Sequence, residues 1–240
     1  MADCIKDRVA VLEERIEAAC RLSGRKRSEI ALMGVSKFQP IEAVTEAWSA
    51  GIRLFGENRV QEAAGKYAGF REAHPRETPN GEYASGLHLI GTLQRNKARA
   101  AAALFDCIHS VDRDSLIDEL GKMTLGRDCP LTVLLEYHTG EESKAGYPSV
   151  EGLYRAAEKL LAFPGLRPAG LMTMAPFSPD KKLVRASFRA LAAAREGLIK
   201  RFGGGWSCLS MGMTNDFEIA IEEGSTLIRI GTAIFGERKG

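Results

Sequence analysis

The 240-residue sequence lacks long apolar runs, paired cysteines and a surplus of one charge, and each absence argues against a class of protein. No segment is apolar over enough residues to span a bilayer, and the charged N-terminal stretch has no signal-peptide core. We therefore predict a cytoplasmic protein without membrane association. With 33 basic and 31 acidic residues the formal charge is only +2, so a nucleic-acid partner is not predicted either.

Residues that ligate metals are few and poorly spaced for a metal site. The five cysteines are odd in number and never adopt the Cys-x-x-Cys spacing of zinc and redox sites, so we interpret them as reduced thiols. The four histidines show no metal-ligand spacing either, and no metal is predicted. These residues are Cys4, Cys20, Cys107, Cys129, Cys208, His74, His88, His109 and His138.

Apolar, strand-like runs alternate regularly with helical segments along the chain. An amphipathic helix within residues 1–24 comes first. Eight predicted strands follow, at 30–35, 52–55, 87–90, 107–111, 131–137, 168–172, 207–210 and 227–230. Strict alternation implies a parallel sheet, and eight units fit the (β/α)8 TIM barrel, whose usual length is about 250 residues. We predict one such α/β domain over residues 1–240, with the N-terminal helix packed on the barrel.

Two features bear on that prediction. The rival doubly wound Rossmann sheet requires Gly-x-Gly-x-x-Gly after the first strand, where this chain reads Gly34-Val35-Ser36-Lys37. The long polar connection at 71–85 contains prolines, asparagine and glycine, so it is predicted to be a surface excursion within one domain.

The carboxyl ends of barrel strands form the functional face, and Lys37 lies at the end of the first strand. A lysine there is often only a solvated charge. Small neighbours at Gly34 and Ser36 leave room around this one, and desolvation at the barrel mouth favours the neutral amine that a Schiff base requires.

A second cluster follows the last two strands, at residues 210–214 and 229–232. Its glycines allow backbone N–H groups to approach an anion, and the hydroxyls of Ser210 and Thr232 add donors. Phosphate binding after strands seven and eight recurs in TIM barrels. Either loop alone would be read as turn and cap residues, but together they predict a phosphate site.

A lysine on strand one, a phosphate site and Arg229 on strand eight together predict pyridoxal 5'-phosphate (PLP) as the ligand. The chain resembles the pyridoxal phosphate homeostasis protein family, single-domain relatives of the alanine racemase N-terminal barrel. The segments that carry the resemblance are Val35-Ser36-Lys37, Phe55-Gly56-Glu57-Asn58, His88-Leu89-Ile90-Gly91, Leu93-Gln94-Arg95-Asn96-Lys97, Ser143-Lys144-Ala145-Gly146, Gly170-Leu171-Met172, Leu209-Ser210-Met211-Gly212-Met213 and Ile228-Arg229-Ile230-Gly231-Thr232.

The resemblance implies a role for each matched residue. Lys37 would carry PLP as an internal aldimine, with Asn58 near the ring substituents and Arg229 facing the pyridine nitrogen. The implied phosphate contacts are Ser210, Gly231 and Thr232. The implied ring contacts are Ile90, Met174 and Met213, which could equally be ordinary residues of the barrel core. A structural ion pair of Arg229 with Glu222 or Glu223 is the alternative for that arginine.

Two functions fit these residues. A PLP carrier would hold the cofactor and deliver it to apoenzymes without being an enzyme, whereas a weak amino-acid racemase would need a second base. The family's racemases place that base in a C-terminal domain for which this sequence offers no residues, and Tyr137 or Tyr147 would have to replace it. We therefore predict a carrier with no catalytic residues, monomeric because the racemase dimer relies on that domain. The motifs at 93–97 and 143–146 are either solvated surface or a docking rim.

Overall fold

The computed structural model describes residues 4–74, 85–126, 129–140 and 145–237, and eight parallel strands in these ranges close into a barrel. The strands are β1 (Ala31–Val35), β2 (Leu54–Glu57), β3 (Gly86–Leu89), β4 (Cys107–Val111), β5 (Leu131–Glu136), β6 (Leu166–Met172), β7 (Cys208–Ser210) and β8 (Leu227–Ile230). Each strand pairs with the next, and β8 pairs with β1 to close the barrel. The predicted (β/α)8 fold is confirmed.

A helix lies between every two consecutive strands, and the helices pack around the barrel. They are α1 (Ile5–Leu22), α2 (Ile41–Ser49), α3 (Val60–Ala73), α4 (Ala98–Leu104), α5 (Asp114–Met123), α6 (Val150–Leu161), α7 (Lys181–Phe202), α8 (Phe217–Glu222) and α9 (Thr232–Phe235), with short 3₁₀ turns at Arg27–Glu29 and Arg95–Lys97. None of the helices in the described ranges is long and apolar enough to cross a membrane.

Several strand boundaries differ from the sequence prediction by one or two residues. β2 begins at Leu54 and not at residue 52, because the N–H of Ile52 bonds to the carbonyl of Ala47 and closes the end of α2 (3.0 Å). The long connection starts later than predicted, since α3 runs to Ala73. The predicted alternation implies a helix between β2 and β3, and Val60, Ala63, Tyr67 and Phe70 of α3 are buried at helical spacing. Residues 75–84 lie outside the described ranges.

The barrel interior holds a small apolar cluster, separate from the larger core between strands and helices. Its buried members are Met33, Leu54, Cys107, Leu134, Ala169, Met172, Cys208 and Leu227. Side chains alternate along a strand, so residues two positions further point the same way. His109, Ser210 and Arg229 follow Cys107, Cys208 and Leu227 in this manner, and all three are buried. A polar layer therefore lies on the apolar one, toward the carboxyl ends of the strands.

Helix α1 packs against α2, α8 and α9 through its buried apolar face. Its first backbone N–H donates to Glu46 Oε1 of α2 (2.9 Å), and Arg15 Nε donates to Glu218 Oε1 of α8 (3.0 Å). Since α2 follows β1 while α8 and α9 flank β8, the helix joins the two sides of the seam where the barrel closes. The N-terminal helix thus packs on the barrel, as predicted, across the β1–β8 seam.

Truncating the buried face of α1 should destabilise the barrel. Ile16 is 0% exposed, so Ile16→Ala removes buried methyl groups and leaves a cavity, lowering the free energy of unfolding by about 2–5 kcal/mol. Val11→Ala, on the exposed side of the same helix, is the matched control and should change it by less than about 0.5 kcal/mol. Urea unfolding of both variants measures the difference, and equal losses would contradict the packing role of α1.

Candidate functional site

A cavity of about 730 Å³ opens at the carboxyl ends of the strands. Eight of the nine residues selected from the sequence line it: Lys37, Asn58, Ile90, Met174, Met213, Arg229, Gly231 and Thr232. The pairing of Gly34 with Ile230 places the end of β8 beside the end of β1. Residues almost 200 positions apart in the sequence, such as Lys37 and Thr232, therefore lie on one wall.

Lys37 lies in a tight turn directly after β1. The N–H of Gln39 bonds to the carbonyl of Ser36 across this turn (3.0 Å). The lysine is half-buried and lines the cavity, whereas Ser36 points away from it and is fully buried. The turn thus presents the amine and anchors the preceding side chain in the core.

Asn58 is held by a close backbone approach. A Cβ atom at Gly91 would lie 2.4 Å from the carbonyl oxygen of Asn58, so only glycine fits at that position. The two residues follow β2 and β3 within the sequence motifs that carry the family resemblance. The glycine after β3 therefore allows the loop that carries Asn58 to lie against the neighbouring strand end.

Arg229 is a buried cation whose hydrogen bonds fix its orientation. Its Nη1 donates to the carbonyl (2.5 Å) and the hydroxyl (2.7 Å) of Ser210, and its Nη2 donates to the carbonyl of Thr173 (2.8 Å). Burial lowers the pKa of Arg229 to about 10, which still leaves it charged at neutral pH. It also lines the cavity, so a fixed positive charge faces any ligand there.

The ion-pair alternative for Arg229 is wrong. Glu222 pairs with Arg185 (2.5 Å), and Glu223 pairs with Arg185 and Arg189, so both carboxylates bind surface arginines of α7. The charge of the buried guanidinium is met by carbonyl and hydroxyl oxygens instead.

Ser210 lies outside the cavity lining, with its hydroxyl 0% exposed between two side chains. It accepts a hydrogen bond from Arg229, and its oxygen is 3.0 Å from His109 Nδ1. His109 Nε2 is in turn 2.9 Å from His88 Nδ1. Two proton arrangements satisfy these contacts with a neutral His109. Either Ser210 donates to His109 and His109 donates to His88, or His88 donates to His109 and His109 donates to Ser210. Of the two predicted hydroxyl contacts, only that of Thr232 lies on the cavity.

The fold also brings together three potential metal ligands that the spacing argument did not find. Ligand atoms of His88, Cys107 and His109 all lie within 4.8 Å of one another, on the adjacent strands β3 and β4. The two imidazoles are hydrogen-bonded to each other, and the charge of Arg229 one hydroxyl away opposes a second cation. These contacts favour a hydrogen-bonded chain over a metal site.

Sequence reasoning missed most of the wall formed by the loop after β6. Pro176, Phe177, Ser178 and Pro179 line the cavity there, and Lys181 follows at the start of α7. Their signal was positional, because every loop after a barrel strand reaches this face. Leu93, by contrast, is buried in the core away from the cavity, and residues 143–144 of the other unassigned motif lie outside the described ranges.

The two tyrosines considered as bases do not line the cavity. Tyr147 donates to Asp114 Oδ1 (3.0 Å), and burial together with Asp114 raises the pKa of its phenol. Burial likewise raises the pKa of Tyr137. Both phenols therefore keep their protons at neutral pH and point elsewhere.

Comparison with known proteins places this site in a family. The sequence model described as the alanine racemase N-terminal domain matches residues 10–239. The pyridoxal phosphate homeostasis protein of Vibrio cholerae is 40% identical over 235 residues, covering 98% of this chain and 96% of that protein. Its counterpart in Aquifex aeolicus is 37% identical over 233 residues, covering 97% and 98%. The chain belongs to the pyridoxal phosphate homeostasis protein family.

Solved structures agree with this membership. PipY of Synechococcus elongatus, determined with PLP bound, is 33% identical and superposes on this family member with a TM-score of 0.78, covering 92% of this chain and 100% of that one. The alanine racemase of Bacillus anthracis superposes with a TM-score of 0.65 at 16% identity, covering 95% of this chain and 56% of that one. At such low identity the racemase shows only that this family shares its barrel.

The buried histidine chain should make folding stability depend on pH. Burial, His88 and Arg229 hold the pKa of His109 well below its usual 6.5. Below pH 6.5, His109 therefore binds a proton in the unfolded chain but stays neutral in the folded protein. The free energy of unfolding should therefore fall on acidification, with at most about 2 kcal/mol from His109 between pH 7.5 and 5.

The comparison is made against His109→Gln, which cannot titrate. Glu136 acts in the opposite direction, because burial and Asp112 raise its pKa to about 7, so only the difference between the two proteins isolates His109. Urea unfolding at both pH values gives that difference. An equal loss of stability in wild type and variant would show that His109 is protonated in the folded protein.

Proposed function

We propose that this protein binds PLP through a Schiff base with Lys37, holds it, and delivers it to apoenzymes in the cytoplasm. One observation carries the proposal: a single cavity gathers the amine of Lys37, the cation of Arg229 and the backbone of Gly231 with Thr232. The relatives' name and the PLP in PipY support the same ligand.

The residues on the cavity wall fit PLP in size and chemistry. About 730 Å³ is ample for the cofactor. A Cβ added at Gly231 would make only ordinary contacts with Val35, at 3.5 Å and beyond, so the fold does not require glycine there. Close approach of a phosphate to the backbone would require it. Ile90, Met174 and Met213 add apolar surface for a ring.

Arg229 favours holding the cofactor over using it. Bound PLP supplies an electron sink, which is strongest when its ring nitrogen is protonated. A guanidinium beside that nitrogen would oppose protonation, and the three hydrogen bonds of Arg229 keep the charge in place. The proposed role is thus a carrier, acting as a monomer; light scattering that shows a stable dimer would refute the monomer.

The second candidate is a weak PLP-dependent racemase, favoured by the shared barrel of the racemase structures. Incubating the purified protein with PLP and a panel of amino acids, followed by chiral analysis, distinguishes the two. Turnover on the order of one per second or faster would defeat the carrier proposal, since that is the range of ordinary enzymes.

Lys37 should be the residue that carries PLP. Borohydride reduction of the loaded protein, followed by peptide mass analysis, should place the pyridoxyl group on Lys37, and Lys37→Ala should lose the absorption band of the Schiff base. Lys181→Ala is the control, because it removes another lysine of the same wall. A label on a different lysine in the wild type would refute the assignment.

The phosphate should lie against Gly231 and Thr232. The double variant Gly231→Ala/Thr232→Val should weaken PLP by at least about tenfold, the effect of losing one hydrogen bond to a charged group, and pyridoxal far less. Thr45→Val, on the exposed surface of α2, is the control. Fluorescence titration with both ligands measures the effect, and equal weakening of the two would assign these residues to the fold or the ring site.

A further inference from the structure

A buried charge network lies directly beneath the turn that carries Lys37. Lys66 of α3 has only 8% of its side chain exposed, and Glu57 at the end of β2 has none. Lys66 does not line the cavity, nor does Glu57. Both residues therefore lie behind the cavity wall, next to the turn.

The three N–H donors of Lys66 have three acceptors. Its Nζ lies 2.7 Å from the carbonyl oxygen of Ser36, 2.8 Å from Glu57 Oε1 and 3.3 Å from Glu62 Oε1. Glu62 Oε1 also accepts the backbone N–H of Phe38 at 2.6 Å. The residues immediately before and after Lys37 are thus both tied to the same ammonium group, one directly and one through a carboxylate.

The side chain of Ser36 adds two further ties. Its hydroxyl donates to Glu57 Oε1 (2.8 Å) and lies 2.7 Å from the hydroxyl of Tyr67. Burial raises the pKa of Tyr67, so the phenol keeps its proton and donates it to Ser36. The backbone ahead of Lys37 is therefore anchored to both β2 and α3.

This anchoring coincides with backbone strain. Phe38, the residue after Lys37, has φ of 64°, and it is the only non-glycine residue with positive φ in the described part of the chain. Such a conformation is unfavourable for a residue with a Cβ atom and persists where the surroundings impose it. The hydrogen bond from the Phe38 N–H to Glu62 is a contact that imposes it here.

We propose that Lys66 is a positioning residue that fixes the turn at Ser36–Gln39 and so presents the Lys37 amine for Schiff-base formation. The proposal rests on the proposed function of Lys37. A buried ion pair adds little net stability over an apolar pair of similar size. Stability alone therefore does not explain an ammonium group that is bound to both flanks of the cofactor lysine.

The test uses two variants and one control. Lys66→Met removes the ammonium group, and Glu57→Gln/Lys66→Met also removes the buried carboxylate charge, so that no unpaired charge destabilises the fold. Lys159→Met is the control, because it breaks a more exposed ion pair of similar length with Asp118 (2.7 Å) outside the cavity wall. Thermal melts identify the variants that are folded.

Two readouts follow the turn and the ligand separately. In PLP-free protein, hydrogen exchange should be faster at the amides of Phe38 and Gln39 in both folded variants and unchanged in the control. Schiff-base formation with PLP, followed by absorbance, should slow by about tenfold, as expected for the loss of one charged hydrogen bond. The affinity for pyridoxine 5'-phosphate, which has no aldehyde, should stay within about twofold because its contacts are elsewhere.

Unchanged amide exchange and an unchanged Schiff-base rate in a folded variant would overturn the proposal, as would equal weakening of both ligands. If Lys66→Met does not fold, the same two measurements on Glu57→Gln/Lys66→Met test the proposal. Failure of the proposed function looks different, because wild-type protein would then carry no pyridoxyl group on Lys37. The exchange measurement in PLP-free protein still reports whether Lys66 holds the turn.

Discussion

The pairing of β8 with β1 is the constraint on which the candidate site depends. Gly34 opposite Ile230 sets the register of the seam, and this register brings the lysine turn after β1 beside the loop after β8. A register shift of one residue would turn Arg229 from the barrel interior to the outer face, because side chains alternate along a strand. The cation, the amine and the Gly231–Thr232 backbone converge only when the barrel closes in this register.

Inside the closed barrel lies a layer of buried polar side chains. Arg229, Ser210, His109 and His88 come from four strands, and their hydrogen bonds run from one strand to the next across the barrel. A buried charge without partners would be costly, so the oxygens of Ser210 and Thr173 determine where the guanidinium can lie. The same contacts that satisfy Arg229 also prevent it from turning toward solvent.

The sequence predicted the eight strands and most of the cavity wall because both follow from local pattern: apolar runs give strands, and a barrel places the residues after them on one face. It did not predict contacts between side chains far apart in the chain. Ser210 was assigned to the phosphate from its position in a loop motif, and its contact with His109 on a different strand gave no signal in the sequence. The Lys66 network was missed for the same reason, since its acceptors come from the turn after β1, from β2 and from α3.

Helix α1 has a consequence for how the protein is made. Its apolar face, with Val9, Leu12 and Ile16, is synthesised before the barrel strands, but its partners in α8 and α9 are more than 190 residues later. The β1–β8 seam spans a similar distance along the chain. During translation this face cannot contact α8 or α9 until nearly the whole barrel has left the ribosome. The nascent chain therefore offers chaperones an early amphipathic helix, and the barrel closes as a late event with high contact order.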